Sequence, residues 1–370
     1  MYEASGLVRV AKREQNKKRN YLIINRLQGK HIPVSPAQAL AMFEALAEKL
    51  KGDITAEQTL LIGFAETATA IGAAAAIKLG TYYMQTTRED VPGAQYLVFS
   101  EEHSHAAMQR LVTNGLEAIL QKIRQIVFIE DEVTTGNTIL NMISVLEKAY
   151  PCRVSYAVAS ILNGMDNEAR KRYEERGIRL YDLVKTDNAA YPKQAEQYTQ
   201  EGSYILSGSL PHKNIHPLEY TVSGFLDARR LLDARAYEKA CLHLWKDVQK
   251  QLPEPLTGSV LVLGTEEFMY PALYCASLIE QAGADVRFHA TTRSPIAVFQ
   301  EAQYPLHIRY ELPSLYEKGR RTFIYEIGAY SHVLIFTDAR QKEREGIDAL
   351  VQAAAVYNEK ISVVWWEASV

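Results

Sequence analysis

Four runs constrain the fold more than anything else in the chain: LLIG (60–63), IVFIED (126–131), VLVLG (260–264) and VLIFTD (333–338). Each is apolar without interruption until its last one or two residues, and each stops on Gly or Asp. A strand that faces water on one side alternates apolar and polar residues; an uninterrupted run has both faces covered. Between the runs the period changes. Pro36 opens a pattern with apolar residues at Leu40, Phe43, Leu46, Ala47 and Leu50, and another carries Ile139, Leu140, Ile143 and Leu146. Those spacings predict helices. Strands alternating with helices give an α/β fold built on a parallel sheet.

The alternation fails once, from about Asn188 to Pro217, where Gly, Pro and polar residues scatter and irregular structure is expected. A charged helix is expected over 225–252. PEPLTG (253–258) then breaks the chain, and a second α/β run starts at SVLVLG. This places a boundary near residue 222 and divides the chain into domains 1–222 and 223–370.

Lys and Arg total 41 against 44 Asp and Glu, a net charge of −3, which argues against a nucleic-acid carrier. The cluster Lys12, Arg13, Lys17, Lys18 and Arg19 reads as a solvated basic face. The three cysteines, Cys152, Cys241 and Cys275, form no CxxC pair, which suits a reducing compartment. No apolar run approaches membrane-span length, so a cytoplasmic protein without a membrane partner is expected.

The two halves echo one another. Gly63 and Gly264 each end a strand, each is followed three residues later by Glu (Glu66, Glu267), and the next strand ends in Thr-Thr-Arg (86–88, 291–293). Asp338 ends VLIFTD as Asp131 ends IVFIED. Two readings fit: a degenerate duplicate of the first domain, with ARQKE where the first has EVTTGNT, or the strand-Gly-helix texture that any two α/β units share.

IVFIEDEVTTGNT (126–138) carries the chemistry. Ligands of parallel sheets lie beyond the carboxyl ends of the strands. Glu130 and Asp131 there suit a pair of neighbouring hydroxyls, or Mg²⁺ held through its waters. Thr134, Thr135, Gly136, Asn137 and Thr138 enter a helix whose first N–H groups lack partners and favour an anion. A diol beside a phosphate is a sugar phosphate. A capped helix behind solvated acids is the plainer reading of any Thr-Gly at a helix start.

The order of these thirteen residues resembles the phosphoribosyl-diphosphate (PRPP) motif of type I phosphoribosyltransferases. KRNYLIINRLQGKHIPV (18–34), FSEEHSHA (99–106) and HATTRSPI (289–296) narrow it. They resemble a bacterial family that joins a type I phosphoribosyltransferase-like domain to a domain named for Thr292-Arg293-Ser294-Pro295, associated with tellurite-resistance and stress gene clusters. The resemblance implies that Glu130 and Asp131 bind the ribose hydroxyls and the metal, and that Thr134 to Thr138 cradle the 5′-phosphate. It also implies PRPP as substrate, Mg²⁺ as cofactor, pyrophosphate release, and a base-like acceptor it does not identify. Glu132 stands where an apolar residue is usual, and Thr134 where purine-salvage members carry Asp.

Gly63, Glu66 and Thr67 lie in GFAETAT (63–69), in the place of the pyrophosphate loop, where small residues let backbone N–H groups approach an anion. Arg88 ends the next strand, where the orotate branch carries a pyrophosphate-contacting Arg; a surface ion pair with Glu89 is the alternative. That branch also uses a hood lysine, but no Lys occurs between 81 and 121. His103, His105 and Arg110 are the nearby cationic candidates, His103 and His105 for the reaction. Lys30, after Gly29, is a candidate anion contact. Ser160–Gly164 is where sheet geometry would place the acceptor. A homodimer is the expected assembly. Two other readings stay open: a non-catalytic PRPP-sensing protein, and the reverse, nucleotide-cleaving reaction.

Overall fold

A computed structural model describes residues 2–14, 19–100, 108–151, 153–211, 213–341 and 344–368. The chain opens on a short helix α1 (Ala4–Leu7), strands β1 (Val8–Lys12) and β2 (Tyr21–Asn25), and helix α2 (Pro36–Leu50). β3 (Thr59–Gly63), α3 (Thr69–Leu79) and β4 (Tyr82–Gln85) follow, then the antiparallel pair β5 (Tyr96–Ser100) and β6 (Met108–Val112). After α4 (Leu116–Leu120) come β7 (Gln125–Val133), α5 (Asn137–Ala149), β8 (Ser155–Asn163), α6 (Asn167–Glu175) and β9 (Arg179–Lys185). α7 (Tyr191–Ala195), β10 (Ser203–Leu206), β11 (Leu218–Ser223) and β12 (Leu232–Asp233) lead to α8 (Ala234–Gln251). The rest is β13 (Ser259–Gly264), α9 (Tyr270–Gln281), β14 (Asp285–Ala290), the antiparallel pair β15 (Ile308–Pro313) and β16 (Arg321–Tyr325), β17 (His332–Thr337), α10 (Arg344–Ala355) and β18 (Ile361–Glu367).

Two compact units result, and they run across the cut expected near residue 222. The first comprises Met1–Ala4, Leu40–Asp187 and Leu226–Lys239; the second comprises Ser5–Ala39, Asn188–Phe225 and Ala240–Val370. Main-chain hydrogen bonds explain the interleaving. Val34 and Phe288 exchange N–H···O bonds of 2.9 and 2.7 Å, and Ala297 N–H donates to the Lys12 carbonyl, so β1 and β2 are tied to the C-terminal half. β11 pairs with β18 and β10 with β15. In the other direction, Gln85 N–H donates to the Ala228 carbonyl and β12 pairs with β4. The expected helix over 225–252 begins only at Ala234, because Asp233 accepts from Ala236 N–H at 2.9 Å and caps it. The stretch from Asn188 to Pro217, expected to be irregular, holds α7 and the edge strand β10, and β11 follows it.

In the first unit the sheet order is β12-β4-β3-β7-β8-β9, parallel except for the short β12. Leu60, Leu61, Ile62 and Ile126 to Ile129 are wholly buried, as uninterrupted apolar runs require. Burial of each such side chain contributes about 1.5–3 kcal/mol. The alanine-rich α3 lies close on the sheet: a Cβ on Gly72 would come within 2.9 Å of the Tyr83 ring and 3.0 Å of Gly63 Cα.

The second unit's main sheet has the order β11-β18-β17-β13-β14, all parallel. Its four strands β14-β13-β17-β18 repeat the order β4-β3-β7-β8, and β15–β16 is inserted where β5–β6 stands in the first unit. The correspondence reaches individual hydrogen bonds. Thr86 N–H donates to the Gly63 carbonyl and Thr291 N–H to that of Gly264. Thr86 Oγ1 accepts from Ala65 N–H at 2.8 Å, and Thr291 Oγ1 from Glu266 N–H at 2.9 Å. Thr87 pairs with Arg110, and Thr292 with Phe323, by matching two-way main-chain bonds. No helix among the described residues is long and apolar enough to cross a membrane.

Candidate active site

β7 does not stop before the acids. It pairs with β8 through Glu130↔Ser160, Glu132↔Leu162 and Val133↔Asn163, and Gly164 N–H closes on the Val133 carbonyl. β7 therefore runs on to Val133 and carries the acids within it. Side chains alternate along a strand, so Glu130 and Glu132 share one face and Asp131 takes the other. On its face Asp131 accepts a 2.8 Å hydrogen bond from Thr67 Oγ1. Burial raises the Asp131 carboxyl above the ordinary aspartate range; the Thr67 hydroxyl opposes that rise and the Glu132 charge adds to it. On the other face the Glu130 charge helps hold the buried Tyr173 phenol protonated, after burial itself.

Gly136 ends the following loop at φ 71° and precedes α5 without a side-chain cap of its own. Glycine is required twice over there. The left-handed conformation disfavours other residues, and a Cβ would lie 2.4 Å from the Tyr173 hydroxyl and 2.6 Å from the Met165 methyl. The capped-helix reading of Thr-Gly is therefore not what forms. Asn137 N–H reaches Thr135 Oγ1 only at 3.3 Å, and Ile139, Met142, Ile143 and Leu146 bury the far side of α5.

The loop after Gly63 is built on its neighbours. Tyr83, buried, donates to the Thr69 carbonyl at 2.8 Å, and Phe64 N–H still reaches the Ile129 carbonyl. The Ala65–Glu66 peptide is cis. Gln109 from β6 donates to the Ala65 carbonyl at 2.6 Å, and its own carbonyl accepts from Thr86 Oγ1 at 2.5 Å. Glu66 is buried beside these groups. Arg88 follows the Thr87–Arg110 pair, and its carbonyl accepts from Arg110 Nη2 at 2.6 Å. Arg110 also binds Asp90 at 2.6 Å and lies over the Tyr96 ring, so this candidate cation is committed to holding the strand end.

The first unit holds Gly63, Glu66, Thr67, Arg88, Glu130, Asp131 and Thr134 to Thr138, and the Thr67–Asp131 bond joins two of these segments. Lys30 is a correction. It belongs to the second unit, wholly buried, with Nζ on the Glu266 carbonyl at 2.7 Å and the Thr291 carbonyl at 2.8 Å. A lysine after Gly29 resembles an anion contact in sequence, whereas here two of its donors serve the main-chain oxygens of Glu266 and Thr291. His103 and His105 lie outside the described residues. Asn163, expected near the acceptor, is buried and engaged with Asp182 at 3.3 Å and Met165 N–H at 3.0 Å.

The counterparts in the second unit are closed on themselves. Arg293, in the place of Arg88, binds Glu267 at 3.0 Å; Arg320 binds the wholly buried Glu266 at 2.7 Å. Asp338 accepts from Tyr316 at 2.7 Å. Sequence reading missed Gln109, Arg172 and Tyr173, the last two because NEARKRYEE (167–175) has the composition of a solvated helix.

No group of three His, Cys, Asp or Glu among the described residues is arranged to enclose a metal ion. Mg²⁺ takes one or two carboxylates and keeps several of its waters; Asp131 on one face of β7 and Glu130 on the other are the carboxylates that would hold it. Asp131→Asn removes one such oxygen charge. On the role that the resemblance implies for Asp131, it is expected to weaken Mg²⁺–PRPP binding by about 1.5–3 kcal/mol. Because the raised pKa means that folding disfavours the ionised form, the cost is absent below the unfolded-state pKa, grows as pH rises from there, and is fully present above the folded-state pKa. At neutral pH the variant should therefore melt at or above the wild-type Tm; unchanged affinity by calorimetry would remove the ribose assignment.

Residues 7–186 match the family described as phosphoribosyl transferase, and residues 230–354 match the TRSP domain found C-terminal to it. No curated protein matches the chain. Among solved structures it is similar to adenine phosphoribosyltransferase from Rhodothermus marinus (15% identity, 49% of this chain and 96% of that one, TM-score 0.36). The Leishmania donovani enzyme gives 15% identity over 53% and 84%, with TM-score 0.38. The Trypanosoma brucei enzyme, solved with AMP, pyrophosphate and ribose-5-phosphate, gives 13% over 49% and 79%, with TM-score 0.36.

Proposed function

The chain belongs to the family that joins a phosphoribosyl transferase domain to a TRSP domain, and on that premise we propose that it transfers the ribose 5-phosphate of PRPP to a base-like acceptor, with release of pyrophosphate. The observation that carries this reading is the 2.8 Å bond from Thr67 to Asp131. It ties the small-residue loop after Gly63 to the acid strand, and the Gly136 turn leads the same strand into α5. This supports seating a pyrophosphate, a diol and a phosphate within one unit.

In the reaction the C1–oxygen bond to pyrophosphate breaks and the pyrophosphate leaves with the electron pair. An acceptor nitrogen bonds to C1, and the acceptor proton is released. Charge builds on the sugar as in other oxocarbenium-like transition states. Glu130 and Asp131 orient the ribose hydroxyls and would hold Mg²⁺. When bound, Mg²⁺ supplies charge neutralisation to the diphosphate. Arg88 faces the departing charge with a planar set of donors suited to phosphate. The N–H groups at the start of α5 hold the 5′-phosphate, so that position is fixed before chemistry begins.

Pyrophosphate release from PRPP and Mg²⁺, measured across a broad panel of purine, pyrimidine and other heterocyclic bases, tests the reading. Release with at least one base is expected. PRPP that neither binds nor turns over would overturn it, whereas tight binding without turnover on the whole panel would favour a sensor.

A further inference from the structure

We propose that helix α6 sets the phosphate loop, with Arg172 and Tyr173 as positioning residues and Arg172 as the cation that offsets the bound 5′-phosphate. This rests on the transferase reading above and adds a residue set to its phosphate seat.

The loop has a charge problem. Glu130, Asp131 and Glu132 precede it directly, and residues 133–147 contain no Lys or Arg. A phosphate dianion seated at the α5 N-terminus would meet three carboxylates and only main-chain N–H groups and hydroxyls. Arg172 comes from another element to this place. Its Nη1 donates to Asn137 Oδ1 at 2.9 Å and its Nη2 to the Thr135 carbonyl at 3.2 Å. Its Nε is buried and has no hydrogen-bond partner among the described residues. Tyr173, wholly buried, donates to the Gly136 carbonyl at 2.6 Å.

These contacts act on successive peptide planes. A trans peptide points its C=O and the next N–H in opposite directions. Anchoring the Thr135 and Gly136 carbonyls toward α6 turns the N–H groups of Gly136 and Asn137 away from it, toward the open end of α5. The Gly136 N–H suits an anion there, and the Asn137 N–H, which reaches Thr135 Oγ1 at 3.3 Å, can share one. α6 is itself fixed: Asp166 caps it by accepting from Ala169 N–H at 2.8 Å, and Arg170 Nε donates to the Met165 carbonyl. The Tyr173 hydroxyl also excludes any side chain at position 136, so loop and helix specify one another.

A pyrophosphate held at the Gly63 loop should be indifferent to Arg172, which gives a selective test. Wild type, Arg172→Gln, Arg172→Lys and Tyr173→Phe are titrated with ribose 5-phosphate, PRPP and pyrophosphate, each with Mg²⁺. Arg172→Gln is expected to weaken ribose 5-phosphate and PRPP by about tenfold or more and to leave pyrophosphate within twofold. Tyr173→Phe should show the same selectivity to a smaller degree. Arg172→Lys keeps the charge and loses the planar pair of contacts, so it should fall between wild type and Arg172→Gln. Equal loss for all three ligands, or none for any, would overturn the proposal. If Arg172→Gln does not fold, Arg172→Lys decides alone: affinity for ribose 5-phosphate equal to wild type overturns the geometric role. Wild type that binds PRPP nowhere would instead overturn the transferase reading.

Discussion

Replacing Arg88 by alanine is expected to slow pyrophosphate release by about 10²–10³-fold, the usual effect of removing one donor aimed at developing charge. The departing pyrophosphate gains negative charge as the C1 bond breaks, so a guanidinium three residues beyond β4 interacts more strongly with the transition state than with bound PRPP. The loss should therefore fall mainly on kcat, with a smaller rise in KM. The local fold should survive. The strand end is held by main-chain bonds between Thr87 and Arg110 and by Arg110 Nη2 on the Arg88 carbonyl, and alanine keeps all of them. The measurement is steady-state release with whichever base supports wild-type turnover, alongside a melting curve. Wild-type turnover at an unchanged Tm would show that Arg88 does not face the leaving group.

The parts of the candidate site that the sequence suggests are local. Thirteen consecutive residues hold the acids, the loop and the helix start, and GFAETAT holds the second loop. What could not be read depends on pairing across long separations. Nothing in Gln109 announces that it will bind Ala65 and Thr86, residues 44 and 23 positions away. Arg172 sits in a polar helix and gives no periodic signal toward Asn137. The extension of β7 through Glu132 follows from a partner strand, β8, whose register no single segment specifies. Lys30 failed for the opposite reason. A local pattern, Gly then Lys after a strand, matched an anion contact, and a long-range fit to the carbonyls of Glu266 and Thr291 took the side chain instead. The echo between the halves was legible because strand order preserves spacing: the Gly-to-Glu and Thr-Thr-Arg positions recur in the same hydrogen bonds.

The same Thr-Arg pair should behave in the opposite way in the second unit. Arg293→Met is expected to destabilise the protein by about 3–5 kcal/mol, the range seen when one partner of a buried ion pair is removed. Arg293 and Glu267 have side chains only 8% and 1% exposed and meet at 3.0 Å. Methionine fills most of the volume but leaves the Glu267 carboxylate without its cation in a site that water scarcely reaches. Glu266, wholly buried 4.0 Å from Arg293 Nε, retains Arg320 at 2.7 Å, so the loss should centre on Glu267. A double variant, Arg293→Met with Glu267→Leu, removes both charges and should regain a large part of the stability, because paired apolar replacements avoid the stranded charge. Urea unfolding at constant m-value measures both; an Arg293→Met midpoint equal to wild type would mean that solvent reaches the pair. With internal carboxylates on its guanidiniums and ARQKE in place of the phosphate loop, this unit should add no second equivalent of PRPP in a titration. Loss of turnover without loss of stability at Arg88, and loss of stability without loss of PRPP binding at Arg293 below its melting range, would together distinguish a guanidinium that meets a ligand from one that meets its own chain.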